Sequence, residues 1–198
     1  MKHPLRDDNP KLNKMKKIVV FAVALLFTLP ALRAQESMFN LGDNVLNLGI
    51  GLGNTLYSGS YYNTTVPPVS VSFEHAVADE ILEKGVIGVA GYLGYSSYKY
   101  DYLGWGYKYS NIIVGAGGLF HYPLVDKLDT YAGVLLGYNI ASSSEFGTYP
   151  GYDYDATSGG FVFSGFVGAR YYFAEQFAAF AQLGYGIAYL TLGVSIRL

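Results

Sequence analysis

The chain of 198 residues has no cysteine, which excludes disulfides, thiolate metal sites, a thiol nucleophile and a lipid-modified cysteine. Its formal net charge is -2, but the cations crowd the start: beyond residue 34, Lys+Arg falls from 13 to 6 and Asp+Glu from 15 to 13, so the net becomes -7. An acidic remainder disfavours nucleic acid and anionic membrane surfaces as partners, because both are drawn to basic patches.

The first element is a leader. Lys14, Lys16 and Lys17 precede an apolar run from Ile18 to Leu29, and Pro30 and Ala31-Leu32-Arg33-Ala34 follow. This is the pattern of a secretory signal peptide over residues 1–34. The run is too short to cross a bilayer as a helix, which takes about 20 residues. The expected cut follows Ala34, although Leu32 departs from the small-residue rule, and Met15 offers an alternative start. Residues 35–43 then read as a short lead-in to a single domain over 44–198.

From there the chain alternates with a period of two, the signature of half-buried strands. Eight segments carry it: 44–53, 68–76, 86–97, 107–122, 129–140, 160–173, 178–186 and 189–198. Leu46, Leu48, Ile50 and Leu52 alternate with Asn47, Gly49, Gly51 and Gly53, and the final segment sets Leu190, Leu192, Val194, Ile196 and Leu198 against Thr191, Gly193, Ser195 and Arg197. A soluble sheet turns Lys and Glu to water, whereas the second face here is Gly, Ser and Thr. The greasy face therefore meets lipid, and the small face lines a narrow interior. No sustained 3.6-residue period appears after Gln35; residues 76–84 are expected to make one or two helical turns. An all-β chain without covering helices must close on itself or expose its apolar face to lipid.

An even strand count puts both termini on one side, with short turns there and longer loops opposite. Charge falls almost entirely outside the strands, and the exceptions share the phase of small residues: Glu74 with Ser70 and Ser72, Arg170 with Ser164 and Gly168, Arg197 with Ser195 and Gly193. The spacing predicts that Glu74 and Arg170 meet across the interior, joined by Gln182 and Arg197 in a polar plug, because isolated charges in a narrow barrel must pair. A proton or ion pathway through the same residues is the alternative.

The signal peptide, Ser70-Val71-Ser72-Phe73-Glu74 running into a turn, Gly168-Ala169-Arg170-Tyr171-Tyr172-Phe173 and the terminal Leu192-Gly193-Val194-Ser195-Ile196-Arg197-Leu198 together resemble the small outer-membrane β-barrel family that includes the OmpX, OmpA-transmembrane and opacity-type proteins. The resemblance covers residues 40 to 198. It implies an eight-stranded antiparallel up-and-down transmembrane barrel in a bacterial outer membrane, with the lead-in and both termini periplasmic. Its lipid surroundings would include lipopolysaccharide, its C-terminal strand would be read by the barrel-assembly machinery, and the barrel would be a monomer. Leu198 departs from the family's usual aromatic last residue.

Function is expected in the outer loops. Tyr57, Tyr61 and Tyr62 lie in the first, Tyr98, Tyr100, Tyr102, Trp105, Tyr107 and Tyr109 around the second, and Phe146, Tyr149, Tyr152 and Tyr154 in the third. An aromatic girdle would account for many of them, since Tyr favours the membrane interface. The alternating Tyr98, Tyr100 and Tyr102 suggest a hairpin projecting beyond the bilayer toward a host or surface protein or glycan. The leading expectation is a non-catalytic structural or adhesion protein without cofactor or metal. The alternatives are a narrow small-solute channel and a lipid A-modifying enzyme acting through His75 or His121. Both histidines fall near the terminal ends of their strands, and neither has a serine at triad spacing.

Overall fold

A computed structural model describes residues 37–56, 62–102, 104–147 and 156–198, so the expected leader lies outside the described residues. The strands are β1 (Asn44–Asn54), β2 (Tyr62–Ile81), β3 (Gly85–Tyr102), β4 (Trp105–Val125), β5 (Leu128–Phe146), β6 (Ala156–Tyr172), β7 (Phe177–Tyr185) and β8 (Ala188–Arg197). Each pairs antiparallel with the next, and β8 pairs with β1, so the eight strands close a barrel. Both described ends of the chain lie at one end of it, here the terminal end.

The two phases of the alternation separate as the sequence predicts. On β8, Leu192 and Val194 are 44% and 47% exposed on the outside while Ser195 is fully buried within. Leu136, Phe163, Leu183 and Val134 continue the outer belt on neighbouring strands. Soluble proteins do not expose apolar patches of that extent, and a closed barrel, having no open edge, can present them to hydrocarbon. Inside, glycine makes room for rings. Gly168 pairs with Tyr131, and a Cβ at 168 would lie 2.5 Å from that ring.

Several strands run further than the alternation suggests. β2 through β5 have 20, 18, 21 and 19 residues, against 11, 9 and 10 for β1, β7 and β8, so one wall stands tall over a short one. In sequence Pro67 reads as the end of a loop and Pro68 as the first residue of a strand. They are accommodated inside β2 because pairing with β1 ends at Ile50 and Val69, and a register shift against β3 falls between Val66 and Val69.

The helical turn expected over 76–84 is corrected to strand. β2 continues to Ile81, and the chain reverses through Leu82 and Glu83, whose φ angles are 52° and 79°. Val77 and Ile81 mimic a helix face because their spacing of four suits a period of two as well as one of 3.6.

Candidate functional site

Four charged or titratable side chains meet inside the terminal half of the barrel. Glu74 comes from β2, His121 from β4, Asp129 from β5 and Arg170 from β6, and none is more than 3% exposed. Asp129 and Arg170 are cross-strand partners, which aims both at the same interior spot. Arg170 Nη2 donates to Glu74 Oε2 at 2.7 Å and Nη1 to Asp129 Oδ2 at 3.0 Å. The His121 ring bridges the same two carboxylates, with Nε2 2.5 Å from Glu74 Oε1 and Nδ1 2.9 Å from Asp129 Oδ1. Carboxylates only accept, so a ring with one beside each nitrogen is matched by the imidazolium, hydrogen-bonded to Asp129 at Nδ1 and ion-paired with Glu74 at Nε2 without hydrogen-bond alignment. Two anions and two cations then balance, the condition under which buried charge is tolerated.

The cluster is roofed by aromatics and stoppered by the lead-in. The Arg170 guanidinium lies 5.4 Å from the Tyr131 ring centre and 5.9 Å from that of Phe39. Phe39 itself is fully buried against Val45, Ala76 and Val86, with its ring centre 4.3 Å from that of His121. A tight turn delivers it: Asn40 N–H donates to Asp43 Oδ2 at 2.9 Å, Gly42 N–H to the Ala76 carbonyl at 3.1 Å, and Gly42 takes a φ of 87°.

On the other side of the cluster lies a cavity of about 70 Å³ lined by Ser70, Ser72, Tyr92, Ser164, Phe180 and Gln182. That exceeds the roughly 10–15 Å³ of such space a cavity needs to hold a water. Leu135 and Ile187, which pack with Ile113, give the cavity an apolar part of its wall.

The structure therefore brings Glu74 and Arg170 together and leaves two of the expected plug residues elsewhere. Gln182 lines the cavity. Arg197 donates to the Met38 carbonyl at 3.2 Å and stacks over Tyr172 at 5.5 Å, because its position on β8 faces the lead-in rather than the lumen centre. Asp129, His121 and Phe39 are the members that the spacing argument omits. The two histidines part company: His121 is internal, whereas His75 is on the outside, its Nδ1 2.9 Å from Asn44 Oδ1.

At the far end, the tall wall carries the aromatics. Tyr98 pairs with Tyr109, Tyr100 with Tyr107 and Tyr102 with Trp105, so all six rings share one side of the β3–β4 hairpin. That side is the one continuous with the lumen, since β4 runs on in phase to the buried Asn111 and Ile113. Trp105 and Tyr107 have ring centres 5.4 Å apart, Tyr107 and Tyr109 6.3 Å. Trp105 Nε1 donates to Glu145 Oε1 of β5 at 2.5 Å. The opposite side is polar: Lys99 Nζ lies 2.8 Å from Asp101 Oδ2 and 3.9 Å from the Phe146 ring centre. These tyrosines thus face inward over the barrel mouth rather than forming a lipid girdle. Tyr57, Tyr61, Tyr149, Tyr152 and Tyr154 lie outside the described residues.

No family model and no curated protein matches the chain. Solved structures do. The N-terminal β-barrel domain of Pseudomonas aeruginosa OprF is 15% identical over 80% of this chain and 98% of that one, with a TM-score of 0.48. Ail, the attachment invasion locus protein of Yersinia pestis, is 13% identical over 80% and 96%, with a TM-score of 0.43. The outer membrane protein Ail in a phospholipid bilayer nanodisc gives 14% over 79% and 99%, and 0.45. The chain is similar to outer-membrane β-barrels. The barrel fold itself rests on the strand pairing described above.

Proposed function

We propose that this is a non-catalytic bacterial outer-membrane barrel whose work is done at its outer mouth, where it mediates adhesion or another surface interaction. The observation that carries this reading is the β3–β4 hairpin, which collects Tyr100, Tyr102, Trp105, Tyr107 and Tyr109 on one face beyond the apolar belt, above a buried Tyr98. Such tyrosines offer large contact area at low entropic cost with a hydroxyl for adaptable hydrogen bonds. In this reading both termini are periplasmic, the belt sits among outer-membrane lipid and lipopolysaccharide, the β8 strand is what the assembly machinery engages, and the barrel is monomeric. The Glu74–His121–Asp129–Arg170 cluster is then a structural plug. Deleting residues 98–109 and measuring binding of the cells to host or bacterial surfaces tests the idea. Loss of binding by a barrel that keeps its heat-modifiable gel migration supports it; unchanged binding removes it.

A second reading, a narrow channel, draws on the cavity beside the charge cluster, whose wall includes Ser70, Ser72, Ser164 and Gln182. Planar-bilayer recordings decide it: an ion current above leak that Arg170→Ala abolishes would favour a pathway over a plug.

A further inference from the structure

We infer that the free edge of β6 beyond the bilayer is a docking site for an extended, uncharged segment of another polypeptide, which adds to the sheet as a further strand. The inference goes beyond the hairpin reading above and does not depend on its tyrosines.

The uneven wall creates the edge. β7, β8 and β1, with 9, 10 and 11 residues, have about the length that crosses a bilayer, so in an outer membrane whatever stands above their outer ends is in water. Pairing of β6 with β7 ends at Gly165 and Tyr185, and pairing of β2 with β1 ends at Val69 and Ile50. Yet β6 reaches outward to Ala156 and β2 to Tyr62. Among the described residues, each of these outer stretches has a partner strand on one side only. The ring that is closed within the belt is therefore a five-stranded sheet with two edges above it.

The two edges differ in what they invite. Natural sheets blunt exposed edges with proline, charge or bulges. β2 carries Pro67 and Pro68 and shifts register against β3 between Thr64 and Val66 and again before Val69. β6 has none of these devices. From Ala156 to Phe163 it holds no proline and no charged residue, and its register with β5 is unbroken. Gly159 and Gly160 are exposed, and Phe161, at 94%, is the most exposed of the described large apolar side chains.

Backbone chemistry selects the occupant. Alternate residues of such a strand turn N–H and C=O away from β5, repeating about every 6.8 Å, and another extended backbone is what offers the matching series of acceptors and donors. Neither Ala156–Phe163 nor the β5 residues opposite, Leu136–Ser143, carry charge, so a charged incoming side chain would lose water and gain no partner. Phe161 and Phe163 line the outer side and favour an apolar neighbour there. A second copy fits poorly, because pairing two β6 edges antiparallel, as the strands of this sheet pair throughout, would point the two barrels in opposite directions.

The probe is a capped, fluorescein-labelled peptide with the sequence of Leu136 to Ser143, the segment that pairs with this stretch on its other side. It would be titrated against the full chain refolded in lauryldimethylamine oxide micelles, with fluorescence anisotropy read against micelles alone. The expected result is saturable binding that slows hydrogen exchange in residues 156–163. Gly160→Lys puts a guarding cation on the edge where an added Cβ meets nothing within 4 Å, and should weaken binding about tenfold or more. Thr65→Lys, on the β2 edge, should leave it within about twofold. Of two peptides N-methylated at alternate residues, one at Gly137, Asn139 and Ala141 and the other at Tyr138, Ile140 and Ser142, one should bind and the other fail, because a strand adds through a single edge. Heat-modifiable migration verifies that each variant is folded.

Equal binding of the two N-methylated peptides, binding that Gly160→Lys leaves intact, or no binding to folded protein would overturn the inference. A dimer that Gly160→Lys dissolves, with no peptide bound, would give the edge to a second copy and overturn the choice of partner. Deletion of residues 98–109 still decides the hairpin reading by itself. Surface binding lost there with the peptide unbound keeps that reading and drops this one; the reverse pattern keeps this one alone.

Discussion

Arg170 holds two buried carboxylates that would otherwise repel each other. Arg170→Ala leaves Glu74 and Asp129 with only the His121 ring between them, and breaking a buried pair from one side costs about 3–5 kcal/mol. Urea titration of the barrel refolded into lipid vesicles measures it; a loss below about 1 kcal/mol would mean that water already reaches the cluster. Gly168→Val tests the other kind of constraint. Its Cβ would sit 2.5 Å from a Tyr131 ring already confined by Arg170, so overpacking should cost about 1–3 kcal/mol by the same assay. The phase of the alternation made Glu74 and Arg170 legible, since each keeps step with serines. The same rule puts Asp129 in step with Gly133 and His121 in step with Gly117, yet both stand beside Pro123-Leu124-Val125-Asp126, where turn chemistry dominates the reading. Phe39 belongs to no periodic segment, and its place depends on walls far along the chain.

At the scale of strands, the outer belt and the tall wall are one surface with two solvents. Leu136 lies mid-belt at 67% exposure, and Ser144 continues the same phase of β5 beyond it. Leu136→Arg should destabilise the barrel by about 2–4 kcal/mol, as a lipid-facing cation near the midplane does. Ser144→Arg should stay within about 0.5 kcal/mol, as at an ordinary wet position. Equal costs in the vesicle titration would contradict the placement of the belt. Strand number, order and facing were legible because a period of two repeats over whole segments. Strand length was not: Pro67-Pro68 and the acidic Asp79-Glu80 carry loop chemistry, and only the absence of a β1 partner and the shifts against β3 explain how β2 runs through both. The facing of Tyr98 to Tyr109 followed the same pattern. Interfacial tyrosine chemistry suggests a girdle, whereas the unbroken β3–β4 register carries the lumen phase outward past the belt.

For the molecule as a whole, the inside of the barrel changes in character along its length: an apolar stopper, a balanced charge cluster and a small cavity of mixed lining, closed in part by an apolar cluster. Such a column should carry no ion current above leak in planar bilayers. Phe39→Ala should cost about 3–5 kcal/mol, the usual range for emptying a fully buried phenylalanine site, and vesicle-bound unfolding curves check it. The stopper also ties the two ends of the described chain to one place. Its seat is built from Val45, Ala76, Val86 and His121, which belong to β1 through β4, while the carbonyl just before it is gripped by Arg197 at the end of β8. The two holds are complete together only where β8 has met β1, so the lead-in has its full set of contacts only in the closed ring. Phe39 is thus a latch across the seam, fastening the first strand to the last from inside.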